Sequence, residues 1–179
     1  GRDEEKEKFL MALEAAAQSP RLALLGAPGA GKSTFVKKLL AWQASARLGK
    51  DAAPDGFDAN LLPVLIILRD LAPRLAVLDV DALPDQKRAG KLVQAVWEQV
   101  HSDLGEDCAD FHTGLHEALQ SGGCLLALDG LDEVPHDLRG RVRQTVDALL
   151  KQYPIQRVIV TCRVRSYVGD SILPNFTSR

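Results

Sequence analysis

No continuous apolar run in this chain approaches the ~18 residues that a membrane-spanning helix requires. The first residues, Gly1-Arg2-Asp3-Glu4-Glu5-Lys6, are charged where a secretory leader would be apolar. On both grounds the chain is expected to be soluble and cytoplasmic, with no membrane partner. Cysteine is scarce: Cys108, Cys124 and Cys162 are odd in number and irregularly spaced, which implies no disulfide framework. The last two sit in apolar runs that read as buried strands. An excess of either charge is missing too. With 22 Lys and Arg against 24 Asp and Glu, the formal net charge is -2, and nothing in that balance suggests nucleic acid, a membrane surface or a highly acidic substrate. Internal repeats and low-complexity tracts are absent. Of the few aromatics, Trp42 and Trp97 fall on apolar stripes and read as core rather than stacking platforms.

What is present is enough apolar matter for one core: 46% of 179 residues. Phe9, Leu10, Leu13, Ala16 and Ala17 recur at helical spacing from about Asp3 to Gln18 and stop at Ser19-Pro20. Residues 1–20 therefore read as a lead-in helix, and 21–179 as the domain. Phe35, Leu39, Trp42 and Ala46 predict a helix from Lys32 to Leu48, ended by Gly49. Residues 50–60 read as loop, and Pro63 to Leu68 as a strand covered on both faces. Leu71 to Gly90, with two prolines and no clean period, reads as loop with at most one helical turn. Further helices are expected over the stripe Leu92, Val93, Val96, Trp97, Val100, Leu104, over Asp110 to Gln120, and over Leu138 to Gln152, with strands at Cys124 to Leu128 and Val158 to Cys162. Strands alternating with helices predict a mostly parallel sheet covered on both sides. Ser171 to Arg179 carry no strong pattern.

The most specific stretch is Gly26-Ala27-Pro28-Gly29-Ala30-Gly31-Lys32-Ser33-Thr34, between a strand-like and a helix-like run. Its spacing, G-x-x-x-x-G-K-S, is the Walker A pattern. Glycines let the backbone curl until successive amides point into one hollow, where polyphosphate oxygens can bind. Lys32 supplies a flexible point charge, Ser33 a hydroxyl for Mg²⁺, and the following helix its positive end. A plain Gly-rich turn would explain the glycines but not Lys32 and Ser33 at their offset. All nine residues, Gly26 to Thr34, are candidate nucleotide-binding residues.

Parallel sheets bind ligands at the carboxyl ends of their strands. After Leu128 comes Asp129-Gly130-Leu131-Asp132-Glu133. An Asp leaving a buried strand beside the phosphate loop is the Walker B arrangement, so Asp129 and Ser33 are the candidate Mg²⁺ residues, with Lys32 and Asp129 expected on adjoining strand ends. A hydrolase also needs a group to orient or deprotonate water. Gly130 holds the position after Asp129, so the base must come from the next turn, with Glu133 the first candidate and Asp132 the alternative. Taken alone, Asp132-Glu133 would read as a solvated surface turn.

The motif L-D-G-L-D-E, together with L-P-V-L-I-I-L-R-D-L-A at Leu62 to Ala72 and R-V-I-V-T-C-R-V-R-S-Y at Arg157 to Tyr167, resembles the NACHT NTPases, members of the signal-transducing STAND class of AAA+-like P-loop ATPases. The resemblance runs from Arg21 onward and rests on three motifs in order. It implies a three-layer P-loop NTPase fold, ATP or ADP with Mg²⁺ as cofactors, slow hydrolysis acting as a timer, self-association of a larger protein, and a bacterial member serving defence against phage. It implies that Arg163 is the sensor of the γ-phosphate, joining Lys32, Glu133 and Asp132 as candidate catalytic residues, with Arg165 a weaker one. A guanidinium at a strand end can stabilise charge on a transferring phosphate. The family continues into another strand, a helical domain and a winged-helix domain that lid the nucleotide. None of these is read here, so an excised core, C-terminally incomplete, is expected.

Other readings compete with this one. The phosphate loop also looks like that of nucleoside monophosphate kinases, but these follow D-G with Pro-Arg where this chain has Asp132-Glu133. A non-hydrolysing ATP/ADP switch needs the same binding residues. The N-K-x-D base reader of GTPases and the L-S-G-G-Q signature of ABC ATPases are absent. Cys108, His112 and His116 lie four apart and could seat a metal, yet without the Glu of H-E-x-x-H they read as a solvated helix face. Arg69-Asp70 reads as a local pair.

Overall fold

The computed structural model describes every residue, Gly1–Arg179. Five strands, β1 (Arg21–Gly26), β2 (Leu62–Ile67), β3 (Cys124–Asp129), β4 (Arg157–Arg163) and β5 (Thr177–Ser178), form one sheet in the order β2-β3-β4-β1-β5, and every neighbouring pair is parallel. Six helices flank it: α1 (Arg2–Gln18), α2 (Lys32–Arg47), α3 (Leu68–Ala76), α4 (Asp85–Leu104), α5 (Ala109–Ser121) and α6 (Arg139–Gln152). The chain thus adopts the expected α/β class in three layers.

Period-two alternation along the strands builds two cores, because successive side chains of a strand leave opposite faces. Leu22, Leu24, Leu125, Ala127 and Ile159 face α1 and α2, where they meet Leu13, Ala16, Phe35, Val36 and Leu39. Phe9 of α1 lies 5.2 Å from the Phe35 ring, so the lead-in helix is part of this layer. Cys124, Leu126, Leu128, Val158, Val160 and Cys162 face the other way, onto α3 to α6. No helix is long and apolar enough to cross a membrane.

Three expectations need correcting. First, Leu71 to Gly90 is not mainly loop. It contains most of α3 and the start of α4, and Pro84 caps α4. Pro73 lies inside α3 and removes one helical hydrogen bond, at a cost of about 3 kcal/mol. Leu68, Leu71, Ala72 and Leu75 are at most 2% exposed, and each buried leucine contributes about 1.5–3 kcal/mol, so packing outweighs the proline. Second, the strand expected over Pro63 to Leu68 is Leu62–Ile67, with Leu68 opening α3; it lies at the sheet edge and is covered on both faces, by the core around Leu62 and Ile66 on one and around Leu65 on the other. Third, the patternless C-terminal residues contain a further strand. β5 pairs with β1 at Leu22 and Ala23, and Leu25 N–H donates to the Arg179 carbonyl at 2.7 Å.

The three thiols are free. Burial pushes Cys124 up to about 12, and burial together with the nearby Asp132 carboxylate pushes Cys162 up to about 11. Cys108 is exposed. A thiol-reactive chromogenic reagent at neutral pH is therefore expected to titrate one cysteine quickly in the native protein and all three after denaturation, since the thiolate is the reacting form. Two fast native thiols would contradict this burial.

Candidate functional site

Because the sheet is parallel, the carboxyl ends of all its strands open on one edge. The register places Gly26 beside Arg163 and Ile67 beside Asp129. The glycine loop and the acidic turn were expected on adjoining strands, but β4 lies between β1 and β3 and separates them. The insertion brings a third strand end, with Thr161 and Arg163, into the middle of the site.

The loop after β1 has the shape its composition demands. Gly29 and Gly31 take φ of 73° and 82°, values costly for other residues. A Cβ on Gly26 would lie 3.1 Å from that of Ala30 and 3.2 Å from Cδ of Lys32, so a side chain there would crowd the loop against the lysine stem. No side chain caps α2, and the amides of Lys32, Ser33 and Thr34 have no backbone acceptor. Unpaired first-turn amides at the positive end of a 16-residue helix attract an anion. Lys32 Nζ folds back on its own loop, donating to the carbonyls of Gly26 at 3.3 Å and Ala27 at 3.2 Å. Ala27, Pro28, Gly29 and Ala30 form the exposed rim of the hollow.

Strand parity sends Asp129 and Thr161 to the α2 face, as it does Ala127 and Ile159. Ser33 Oγ, 96 residues away in sequence, donates to Asp129 Oδ1 at 3.1 Å. Thr161 Oγ1 donates to the same oxygen at 2.5 Å and accepts from the buried Gly130 N–H at 2.8 Å. One hydroxyl thus fixes both the carboxylate and the backbone behind it, while Asp129 Oδ2 accepts no protein hydrogen bond. Ser33 and Asp129 present hydroxyl and carboxylate oxygens, the hard donor set that suits Mg²⁺. Thr161→Val keeps the shape but strands the Gly130 N–H, which should cost about 1–3 kcal/mol. The denaturant midpoint should fall for Thr161→Val and stay near wild type for Thr161→Ser.

The acidic turn is anchored from below. Leu131 and Val134 are 1% exposed, and Arg139 donates to the carbonyls of Asp132 and Val134, both at 3.1 Å. Asp132 and Glu133 are thereby held above the sheet edge, each against an arginine. Asp132, only 10% exposed, accepts from the Arg163 backbone N–H at 3.0 Å and forms an ion pair with its Nε at 3.1 Å. That geometry makes Asp132 a holder of Arg163 and leaves Glu133 the freer carboxylate. Glu133 meets Arg69 Nη1 at 2.9 Å. Arg69 keeps the expected contact with Asp70, but at 3.6 Å. Arg165 makes no ion pair and stands exposed.

Two residues of this site were missed in the sequence. Thr161 is the one hydroxyl in an otherwise apolar strand run, and Arg69 is the first polar residue beyond a strand end. Both signals are legible once the carboxyl edge is taken as the binding edge. The reading of His112 and His116 as a solvated face is wrong. His116 stacks on Trp97 with centroids 3.5 Å apart, and His112 on His101 at 4.0 Å. Nor do these residues with Cys108 form a metal centre, since no group of three metal-ligating side chains converges anywhere in the chain. Comparison with known proteins adds no assignment: no family model, curated protein or solved structure matches the chain.

Proposed function

We propose that this chain binds ATP with Mg²⁺ and hydrolyses it slowly, as the nucleotide-controlled switch of a larger NACHT-like signalling protein. One observation carries the reading: Ser33 of the glycine loop and Asp129 of the distant acidic motif meet at 3.1 Å, as two residues sharing one metal ion must. Mg²⁺ would supply charge neutralisation at the β- and γ-phosphates. The chain's own residues do the rest. The α2 amides and Lys32 hold the phosphates, Lys32 exchanging its loop carbonyls for phosphate oxygens. Glu133 accepts the proton of the attacking water. Arg163, steadied by Asp132, faces the γ-phosphate and registers its loss.

Slow turnover has a structural rationale in the two ion pairs. Glu133 must leave Arg69 before it can act as a base, and Arg163 is restrained by Asp132. The Arg69–Glu133 pair also favours a second reading, a switch that binds nucleotide without turning it over. Self-association and a part in bacterial defence against phage belong to the proposal through the family resemblance alone.

Calorimetry of the purified chain with ATP and Mg²⁺ tests the binding step, and release of inorganic phosphate tests the chemistry. Heat of binding with phosphate release above a Lys32→Ala control is expected. Binding without release would leave the non-hydrolysing switch, and no heat with any adenine nucleotide would overturn both readings.

A further inference from the structure

Away from the phosphate edge, four rings from two helices form a cluster that the nucleotide reading does not use. Trp97 and His101, one turn apart on α4, face His112 and His116, one turn apart on α5. The rings pair as two parallel stacks, Trp97 with His116 at 11° and His101 with His112 at 13°. Trp97 is held from behind, its Nε1 donating to Tyr153 Oη at 3.0 Å just beyond α6. The rest of the α5 docking surface is thin, for only Leu115 and Leu119 are buried on that helix. The stacks therefore supply much of what holds α5 down.

The nitrogen atoms make this contact sensitive to protons. Nε2 of His101 and of His112 are both buried and have no hydrogen-bond partner. A neutral imidazole tolerates this better than a cation, in which both nitrogens become donors and an unpartnered buried N–H carries charge. Two imidazolium rings at 4.0 Å would also repel each other. A metal ion does not fit: the His101 and His112 rings stack in nearly parallel planes, so their lone pairs do not converge, and no three metal-ligating side chains come together here.

Nearby charges do not compensate. The candidates are Glu98 and Asp103 on α4, Glu106, Asp107 and the Cys108 thiol on the connecting turn, Asp110 and Glu117 on α5, Arg74 on α3, and Asp147 and Lys151 on α6. The acids on α4, on the turn and on α5 are all exposed. Lys151 is bound to Asp147, and Arg74 to Gln99. None of these groups forms an ion pair or hydrogen bond with a histidine.

We propose that the Trp97–His116 and His101–His112 stacks form an acid-sensitive latch that keeps α5 on α4 at neutral pH and lets it go when the imidazoles take up protons. The titration runs in the required direction. Burial, then repulsion from the other histidines, lowers both His101 and His116 below the ordinary 6.5. Below that value the undocked state binds more protons than the docked one. Docking stability is therefore complete above 6.5 and falls as the pH drops through the lowered folded values. Release would uncover the faces of Trp97, Leu115 and Leu119.

Hydrogen exchange on the whole chain without nucleotide tests the latch independently of any ATP binding. With rates corrected for intrinsic exchange and α6 as internal reference, α5 amides should open about fivefold or more readily at about pH 5.5 than at about pH 7.5. The double variant His101→Gln/His112→Gln, which leaves only His116 of the latch to titrate, should cut that ratio to about half or less. Equal α5 protection at both pH values in wild type, or undiminished pH dependence in a folded double variant, would overturn the proposal. Should the variant fail to fold, ring-proton NMR of wild type decides. α5 opening must track a histidine titrating below the free-imidazole value, and opening that tracks none of them defeats the latch.

Discussion

Replacement of Lys32 by Ala should reduce affinity for ATP with Mg²⁺ by about 10²–10⁴-fold, without measurable loss of thermal stability. The ammonium is a charge-assisted donor to the outer phosphates, and such bonds are each worth about 1.5–3 kcal/mol net. Two of them lost together correspond to a change of that order in the dissociation constant. The fold has little at stake, because Nζ touches only the carbonyls of Gly26 and Ala27 at the rim of the loop. Calorimetry alongside a melting curve separates the two effects. A variant that melts like wild type and binds as tightly would show that the phosphates lie elsewhere.

The second large effect is expected in turnover rather than binding. Glu133→Gln keeps the size and hydrogen-bonding reach of the side chain but cannot accept the proton of the attacking water. Phosphate release should fall by about 10²–10⁴-fold with ATP affinity nearly unchanged. Asp132→Asn should act differently. Its carboxylate faces Arg163 rather than open space and is only 10% exposed, so its loss frees Arg163 and, on the proposed reading, should alter discrimination between ATP and ADP as well as rate. Arg69→Ala supplies the complementary measurement. The ion pair it removes is exposed, 62% on the arginine and 45% on the glutamate, so it contributes little to stability. Removing it should leave the melting point in place and raise turnover, because Glu133 no longer has to be released. If Glu133→Gln turns over like wild type, the base is another group and the non-hydrolysing reading also gains nothing.

The shape of the glycine loop was legible because it is set locally. Glycine permits φ of 73° and 82° at Gly29 and Gly31 whatever surrounds them, and the fixed offset of Lys32 and Ser33 places them at the start of a helix that Phe35, Leu39 and Ala46 had already announced. The parallel sheet was legible for a related reason, since apolar runs of strand length alternating with amphipathic helices leave few other arrangements. Legibility failed where a local signal was overruled by packing. The prolines argued against α3, and four buried residues outweighed them. β5 has only two residues, and its place beside β1 comes from the partner strand's open edge rather than from any pattern of its own.

By itself, then, the order of residues determined the class of fold, the glycine loop and the place of the acidic turn at a strand end, because backbone freedom, apolar periodicity and nearest-neighbour spacing act within a few residues. Tertiary structure alone decided which side chains meet. β4 entered between β1 and β3, Thr161 tied Asp129 to Gly130, Arg69 reached Glu133, and α4 turned an apparently solvated pair of histidines into stacked, half-buried rings. Those contacts join positions far apart in the chain, 64 residues for Arg69 with Glu133, and no local preference encodes a distance that exists only after the sheet has closed its register.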